Sequence, residues 1–204
     1  MLWDNTYGIV LFALTVTLIL PGPTNALIAS AAKHHGIWAA LKLLPAQLLG
    51  YLYGMGLWWL FIGSTQTLSP YLIEILHFLS TIYIMWLAFR LWRTRQLYEF
   101  SRKNSKINAA TTFYTALKNP KALLFTIGVF PLSTWYDWEH YLFSMLLFSV
   151  ALIPTTILWM VFGRHLLSDN VKQLPIYRYY RIYRISAVIL MFSMLPIVFR
   201  YYWQ

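Results

Sequence analysis

The chain has 204 residues, of which 59% are hydrophobic and 11% are charged, and its formal net charge is +10. So few charged residues cannot cover the apolar surface of a soluble domain, and the composition therefore favours a membrane protein. The basic residues lie between apolar segments and form no patch with interleaved exposed aromatics, so nucleic acid is excluded as a partner. Because the chain has no cysteine, disulfides and thiol-ligated metals are excluded as well.

Apolar segments of about 20 residues, the length that crosses a hydrocarbon core of roughly 30 Å, recur along the chain. The six segments lie near residues 7–31, 43–63, 71–92, 109–132, 141–163 and 185–203. Asp4 stands in an N-terminal stretch without Lys or Arg, so we expect the first segment to be retained and not cleaved as a secretory signal. The pattern predicts an all-α integral membrane protein with six transmembrane helices and a single transmembrane domain over residues 1–204.

The basic residues are concentrated in every second connector, after the first, third and fifth segments. The connectors after the second and fourth segments, STQTLSP and STWYDWEH, contain neither Lys nor Arg. Cytoplasmic connectors carry an excess of Lys and Arg, so this asymmetry predicts that both termini lie on the outer face. Residues 93–110 and 165–184 are then cytoplasmic.

Two prolines interrupt the first segment at LPGPTNAL. Pro21 and Pro23 each lack an N–H group and clash with the preceding turn, so a helix from residue 7 should stop near Leu20 and restart with Pro23 at its first position. Backbone freed at that depth is tolerated where it is buried in protein or lines a wet cavity. A proline kink that shapes packing alone is the alternative interpretation.

A second interruption, Asn119-Pro120, lies in TALKNPKALLF of the fourth segment. The first and fourth segments each open a half of three segments, at about 1–92 and 109–204, and a basic cytoplasmic connector at about 93–108 joins the halves. Because three is odd, the halves run in opposite directions across the membrane. Inverted three-helix halves with broken helices one and four are typical of transporters whose substrate sites lie near the midplane.

The residues at these interruptions also carry a family resemblance. LPGPTNALIASAAKHHGIWAAL resembles the PGP signature of the lysine exporter type (LysE/RhtB) amino-acid exporters, and FYTALKNPKALLFTIGVFPLS resembles their second signature, an NPK run that ends at a proline. STIYIMWLAFRLWRTR is similar to the third span of that family. The resemblance implies a six-span exporter of amino acids or similar small metabolites, with proton antiport as its mode. The chain departs from the family at Thr24, where Asp or Asn usually follows PGP, and in a second span with fewer glycines.

The helix that restarts at Pro23 leaves its first N–H groups unpaired at the positive end of its dipole, which suits a carboxylate. Thr24, Asn25 and Asn119 either add hydrogen bonds to such a ligand or cap their own half-helices. The candidate substrate-binding residues are Pro21, Gly22, Pro23, Thr24, Asn25, Asn119, Pro120 and Lys121.

Two lysines flank the second interruption. A Lys within a membrane span is costly enough to be a functional candidate, so Lys121 is predicted to contact a substrate carboxylate, with extension to the headgroups as the alternative. Extension to the headgroups is the favoured interpretation for Lys118, which lies nearer the inner surface.

Glu74 and His77 are the candidate proton-coupling residues. They stand at positions i and i+3 in the outer half of the third segment and could relay a proton, whereas an interfacial Glu74 and a hydrogen-bonded His77 are the alternative. Because no GxxxxGK[ST] motif is present, active export by this chain would use an ion gradient.

The preferred interpretation is a secondary active transporter in the cytoplasmic (inner) membrane of a bacterium, with membrane lipids as partners and without a cofactor or metal. Few acidic residues lie within the spans, which favours a neutral amino acid or related carboxylate as substrate. A non-catalytic membrane subunit or assembly factor is the alternative, and a membrane-embedded enzyme is disfavoured because paired carboxylates and nucleophile-base pairs are lacking. Assembly with copies of itself stays open.

Overall fold

The computed structural model describes residues 5–65, 107–131 and 133–166, with single positions between 75 and 93 and between 181 and 188. Every regular element in these residues is helical, which confirms the predicted all-α class for this part of the chain. The elements are α1 (Asn5–Ile19), α2 (Pro23–His35), α3 (Ile37–Leu41), α4 (Leu44–Thr65), α5 (Ala109–Leu117), α6 (Pro120–Leu124), a π-helical turn (Phe125–Val129), α7 (Ser133–Tyr136) and α8 (Trp138–Leu166).

The predicted segments at 71–92 and 185–203 and the basic connector fall almost entirely outside the described residues. Glu74 and His77, the candidate proton-coupling residues, lie outside them as well. Their roles stay predictions.

The chain bends between α1 and α2. α1 ends at Ile19 and α2 begins at Pro23, and the two helix axes differ by 57°. A proline is tolerated in the first turn of a helix because the N–H groups there have no partner within the helix. At the other end of α2, Gly36 with φ of 86° terminates the helix in a conformation that favours glycine.

α8 is the longest described helix, and it continues through Pro154 in its interior. It begins three residues before the predicted boundary at residue 141 because Asp137 caps it, with Oδ1 accepting a hydrogen bond of 3.2 Å from the Glu139 N–H. By length and mean hydropathy, Trp138–His165 could cross a membrane, and the bent pair of α1 and α2 adds a second candidate if it forms one span.

Two glycines allow the helices to pack closely. A methyl group at Gly50 of α4 would lie 2.5 Å from the Phe113 carbonyl oxygen of α5, and one at Gly163 of α8 would overlap the backbone of Ala29 in α2. Small residues at such crossings let helix backbones approach each other. These contacts place α4 against α5 and α8 against α2.

The interior of the bundle combines an aromatic cluster with buried polar side chains. The centroid of the Phe148 ring lies 5.4 Å from that of Tyr51 and 5.3 Å from that of Phe125, and both pairs have edge-on geometry. The outer faces carry large apolar side chains instead, among them Phe12, which is 72% exposed, and Leu146. Exposed apolar faces on several helices together with polar groups inside indicate an apolar environment around the bundle.

Candidate functional site

A buried hydrogen-bonded cluster joins the α1–α2 junction to the α5–α6 junction. Thr24 Oγ1 and Tyr51 OH lie 2.9 Å apart, and Asn119 Nδ2 donates to Tyr51 OH at 2.8 Å and to Thr24 Oγ1 at 3.1 Å. None of the three residues is more than 3% exposed. The cluster therefore brings together Thr24 and Asn119, two predicted site residues that are 95 positions apart in the sequence.

Asn119 uses both ends of its amide. Its Oδ1 accepts from the Lys121 backbone N–H at 3.0 Å and so caps the first turn of α6, whereas its Nδ2 makes the contacts to Thr24 and Tyr51. Capping its own half-helix and pointing into the site were alternatives for this residue. In the structure the side chain caps α6 and also bonds Thr24 and Tyr51, because an amide offers an acceptor and two donor hydrogens, and a hydrogen bond to a ligand stays a prediction.

Side chains also satisfy the backbone where α1 ends. The last carbonyl groups of a helix have no partner within it, and at membrane depth they require one from elsewhere. Each of the four carbonyl oxygens of residues 17–20 accepts a side-chain hydrogen bond. The bonds run from Lys121 Nζ to Thr17 O (2.8 Å) and Leu20 O (2.6 Å), from Asn25 Nδ2 to Leu18 O (2.7 Å) and Leu20 O (2.9 Å), and from Trp159 Nε1 to Ile19 O (3.2 Å).

Lys121 is 4% exposed, so its ammonium group does not extend to the surface as the alternative interpretation required. Its hydrogen-bond acceptors in the described residues are backbone carbonyls, and neither Asp137 nor Glu139, the acidic residues of that part, is among them. Lys118, in contrast, is exposed, as expected for a lysine that extends outward. The two lysines beside the Asn-Pro sequence therefore occupy different environments.

Gly22 makes room for the Lys121 side chain. A methyl group on Gly22 would lie 3.1 Å from Lys121 Cε and 3.4 Å from Nζ, which is too close without a shift of the lysine. The backbone of Gly22 is extended, with φ of −154° and ψ of 175°, so its conformation does not demand glycine. A side chain at this position would therefore require the end of the Lys121 side chain to shift by a few tenths of an ångström.

The first turn of α2 receives no side-chain cap. Its N-cap residue is Gly22, and within the described residues no side-chain cap bond is present at this end of the helix. Thr24 and Asn25 do not cap their own helix, because the first contacts Tyr51 and Asn119 and the second contacts α1 carbonyls. The uncapped positive end of α2 therefore lies beside the cluster, where a carboxylate would be favoured.

The sequence interpretation missed two polar residues of α4. Tyr51 stands at the centre of the cluster, and Gln47, fully buried one helical turn earlier, has an amide nitrogen without a partner in the described residues. Gln47 Oε1 accepts from Thr156 Oγ1 of α8 at 3.3 Å. A glutamine and a tyrosine four residues apart lie on one face of a helix, and in an otherwise apolar segment this pattern indicates an inward polar face.

Residues 15–197 match the model of the LysE type translocator family, and the chain belongs to this family. This confirms the resemblance indicated by the PGP and NPK segments. Family membership points to a transporter and not to an enzyme. No solved structure matches the chain.

Similar curated proteins are cysteine/O-acetylserine efflux proteins. The one from Salmonella choleraesuis (strain SC-B67) is 29% identical over 119 residues, and the one from Escherichia coli O1:K1 / APEC is 30% identical over 119 residues. Both alignments cover 58% of this chain and 60% of the relative. The one from Salmonella paratyphi A (strain ATCC 9150 / SARB42) is 34% identical over 76 residues, 37% of this chain and 39% of the relative. The similarity thus spans less than two thirds of these relatives.

Proposed function

We propose that the chain is a secondary active transporter that exports amino acids or related small carboxylate metabolites across the cytoplasmic membrane of a bacterium. The observation that carries the proposal is the buried cluster of Thr24, Tyr51 and Asn119, which links two proline-containing helix junctions. Paired interruptions of this kind hold the substrate site in inverted-repeat transporters. Membership of a translocator family and the names of the relatives support the same activity.

The proposed architecture has six transmembrane helices in two inverted halves, at about 1–92 and 109–204, with helices one and four broken. The 57° bend between α1 and α2 and the separate helices α5 and α6 support the broken helices. Both termini face outward in this proposal, because the basic residues follow the first, third and fifth segments.

The substrate is proposed to bind at the two junctions, where α2 and α6 begin. The uncapped N-terminus of α2 and the Lys121 ammonium attract the carboxylate, while the polar cluster supplies hydrogen bonds. The lining residues are Pro21, Gly22, Pro23, Thr24, Asn25, Asn119, Pro120 and Lys121. Cysteine and O-acetylserine, which appear in the names of the relatives, are neutral amino acids and are the first substrates to test.

A proton gradient is the proposed energy source, used by proton antiport, because the chain carries no nucleotide-binding GxxxxGK[ST] motif of its own. Glu74 and His77 are retained as the proposed proton relay on the basis of their spacing in the sequence. Replacement of both residues by Gln should abolish acceleration of efflux by an imposed proton gradient, with exchange of substrate retained.

The experiment uses purified protein in liposomes that are preloaded with labelled O-acetyl-L-serine or L-cysteine. We expect protein-dependent release that an inward proton gradient accelerates. Asn119→Ala should slow release strongly because the cluster loses its bridging amide, whereas Asn108→Ala, which removes an exposed helix cap, should change release by less than about threefold. Absence of protein-dependent release for a panel of neutral amino acids would contradict the proposal.

A further inference from the structure

We propose that the carbonyl oxygens of Thr17 and Leu20 form the subsite for the α-ammonium group of a zwitterionic substrate, and that the Lys121 ammonium occupies this subsite when no substrate is bound. The inference rests on the proposed function, since it assigns the groups that recognise one end of the exported molecule. It also defines the movement that binding requires, because Lys121 has to leave before the substrate ammonium can enter.

The subsite has the properties of a cation site. Carbonyl groups at the C-terminal end of a helix carry partial negative charge, and the ends of broken helices bind cations in transporters. Here two such oxygens lie 2.8 and 2.6 Å from the Lys121 Nζ atom and accept hydrogen bonds from it. Thr17 adds a hydroxyl group that is buried and without a partner in the described residues, and this hydroxyl is a further acceptor on the same residue.

Capping of α1 does not require the charge of Lys121. Leu20 O accepts a second bond, from Asn25 Nδ2 at 2.9 Å, and Asn25 Nδ2 also bonds Leu18 O at 2.7 Å. If Lys121 withdraws, Leu20 O keeps a neutral partner and Thr17 O alone loses its side-chain bond. The Lys121 ammonium therefore gives up two hydrogen bonds when it leaves, but Thr17 O alone is left without a side-chain donor, and an incoming ammonium replaces both bonds.

Exchange with a zwitterion conserves the charge of the site. The substrate ammonium takes the two carbonyl oxygens, the displaced Lys121 ammonium pairs with the substrate carboxylate, and no proton is transferred. An amine without a carboxylate would place two cations together without a counter-charge. A carboxylic acid without an amine has no group for the carbonyls, so it competes with them for the same lysine. The arrangement selects α-amino acids over both classes of analogue.

The probes are L-cysteine, cysteamine, which lacks the carboxylate, and 3-mercaptopropionate, which lacks the ammonium. Equilibrium binding is measured on the purified full-length chain in detergent. We expect the wild type to bind cysteine roughly 10- to 150-fold more tightly than either analogue, the range of a charge-assisted hydrogen bond. Lys121→Met should reduce the preference for cysteine over cysteamine, because it vacates the carbonyls and removes the repelling charge, so that cysteamine binds about tenfold more tightly than to the wild type.

Two variants serve as controls. Lys121→Arg retains a cation at the carbonyls and should still reject cysteamine, whereas Lys118→Met removes an exposed lysine and should leave all three affinities within about threefold of the wild type. A role of Lys121 in capping alone predicts loss of folded protein in Lys121→Met and no gain of cysteamine binding.

The outcomes distinguish failure of the subsite assignment from failure of the proposed function. Wild-type protein that binds cysteine and cysteamine equally overturns the subsite assignment, as does a folded Lys121→Met variant without a gain in cysteamine affinity. If that variant does not fold, the wild-type preference among the three probes still decides. Wild-type protein that binds no amino acid of a panel overturns the proposed function and the assignment together.

Discussion

The Lys121 Nζ atom lies 2.6 Å from the Leu20 carbonyl oxygen, and this bond joins residues that are 101 positions apart. Lys118, one helical turn earlier in the sequence, is exposed. The two lysines lie on either side of one Asn-Pro sequence. Substitution of Lys118 therefore tests an exposed lysine, and the same substitution of Lys121 tests a buried one.

We expect Lys121→Gln to lower efflux by roughly 10- to 150-fold, because it removes charge-assisted hydrogen bonds worth about 1.5 to 3 kcal/mol from the site. Lys118→Gln should change efflux by less than about threefold, as is usual for a solvated charge. The measurement is efflux normalised to membrane-inserted protein. Equal effects of both substitutions would indicate a shared role in topology, and wild-type efflux by Lys121→Gln would remove this residue from the site.

Tyr51→Phe tests the polar cluster. The substitution keeps the ring against Phe148 but removes the hydroxyl that contacts Thr24 and Asn119, so buried polar groups lose a partner at a cost of about 1 to 3 kcal/mol. The melting temperature in detergent should fall by about 2 to 4 °C for each kcal/mol. Tyr53→Phe on the same helix is the matched control, since Tyr53 is 57% exposed, and a similar decrease in both variants would contradict the assignment.

Gly163→Ala tests the contact between α8 and α2. The added methyl group overlaps the backbone of Ala29, which cannot move as a flexible side chain can, so we expect a loss of about 1 to 3 kcal/mol. Gly8→Ala in α1 meets no atom within 4 Å and should be neutral or stabilising by up to about 1 kcal/mol, as expected for alanine in a helix. Thermal unfolding of the two variants gives the comparison, and equal stability would exclude the close crossing.

Single cysteines test the orientation, because the chain contains none of its own. Ser105→Cys lies in the basic connector and should react with an impermeant thiol reagent after the inner face is exposed, and not from the periplasmic side. Ser69→Cys, in a connector without Lys or Arg, is the opposite control and should react from outside. Labelling of Ser105→Cys from the periplasmic side would disprove the proposed orientation.

The helix boundaries at prolines could be predicted from the sequence because their cause is local. Pro23 begins α2 and Asn119-Pro120 separates α5 from α6, since a missing N–H group and a ring clash act within one turn. Apolar content predicts the fifth segment from near residue 141, whereas α8 begins at Trp138, because the polar residue Asp137 caps its first turn.

The partners within the site could not be predicted in the same way. Tyr51 contacts residues that are 27 and 68 positions away, and no local spacing encodes such distances. The sequence predicts a Lys121 contact with a substrate carboxylate or with the headgroups, but it does not indicate that the lysine nitrogen bonds carbonyls of residues 17 and 20, more than 100 positions earlier. Every residue has a backbone carbonyl, so the sequence shows that a side chain is polar but does not indicate which carbonyl it will bond.

The hydrogen bonds at the end of α1 also bear on the order in which the chain can be completed in the membrane. When residues 5–65 have been synthesised, Asn25 can already bond the Leu18 and Leu20 carbonyls, but Thr17 O and Ile19 O wait for Lys121 and Trp159. Among the described residues, 5–65 alone thus leave these two backbone acceptors without the side-chain partners they have in the full structure, and an unpaired acceptor in an apolar medium is costly. We therefore expect a gene fragment that stops after α4 to yield a product that membrane quality-control proteases remove unless the remainder of the chain is co-expressed.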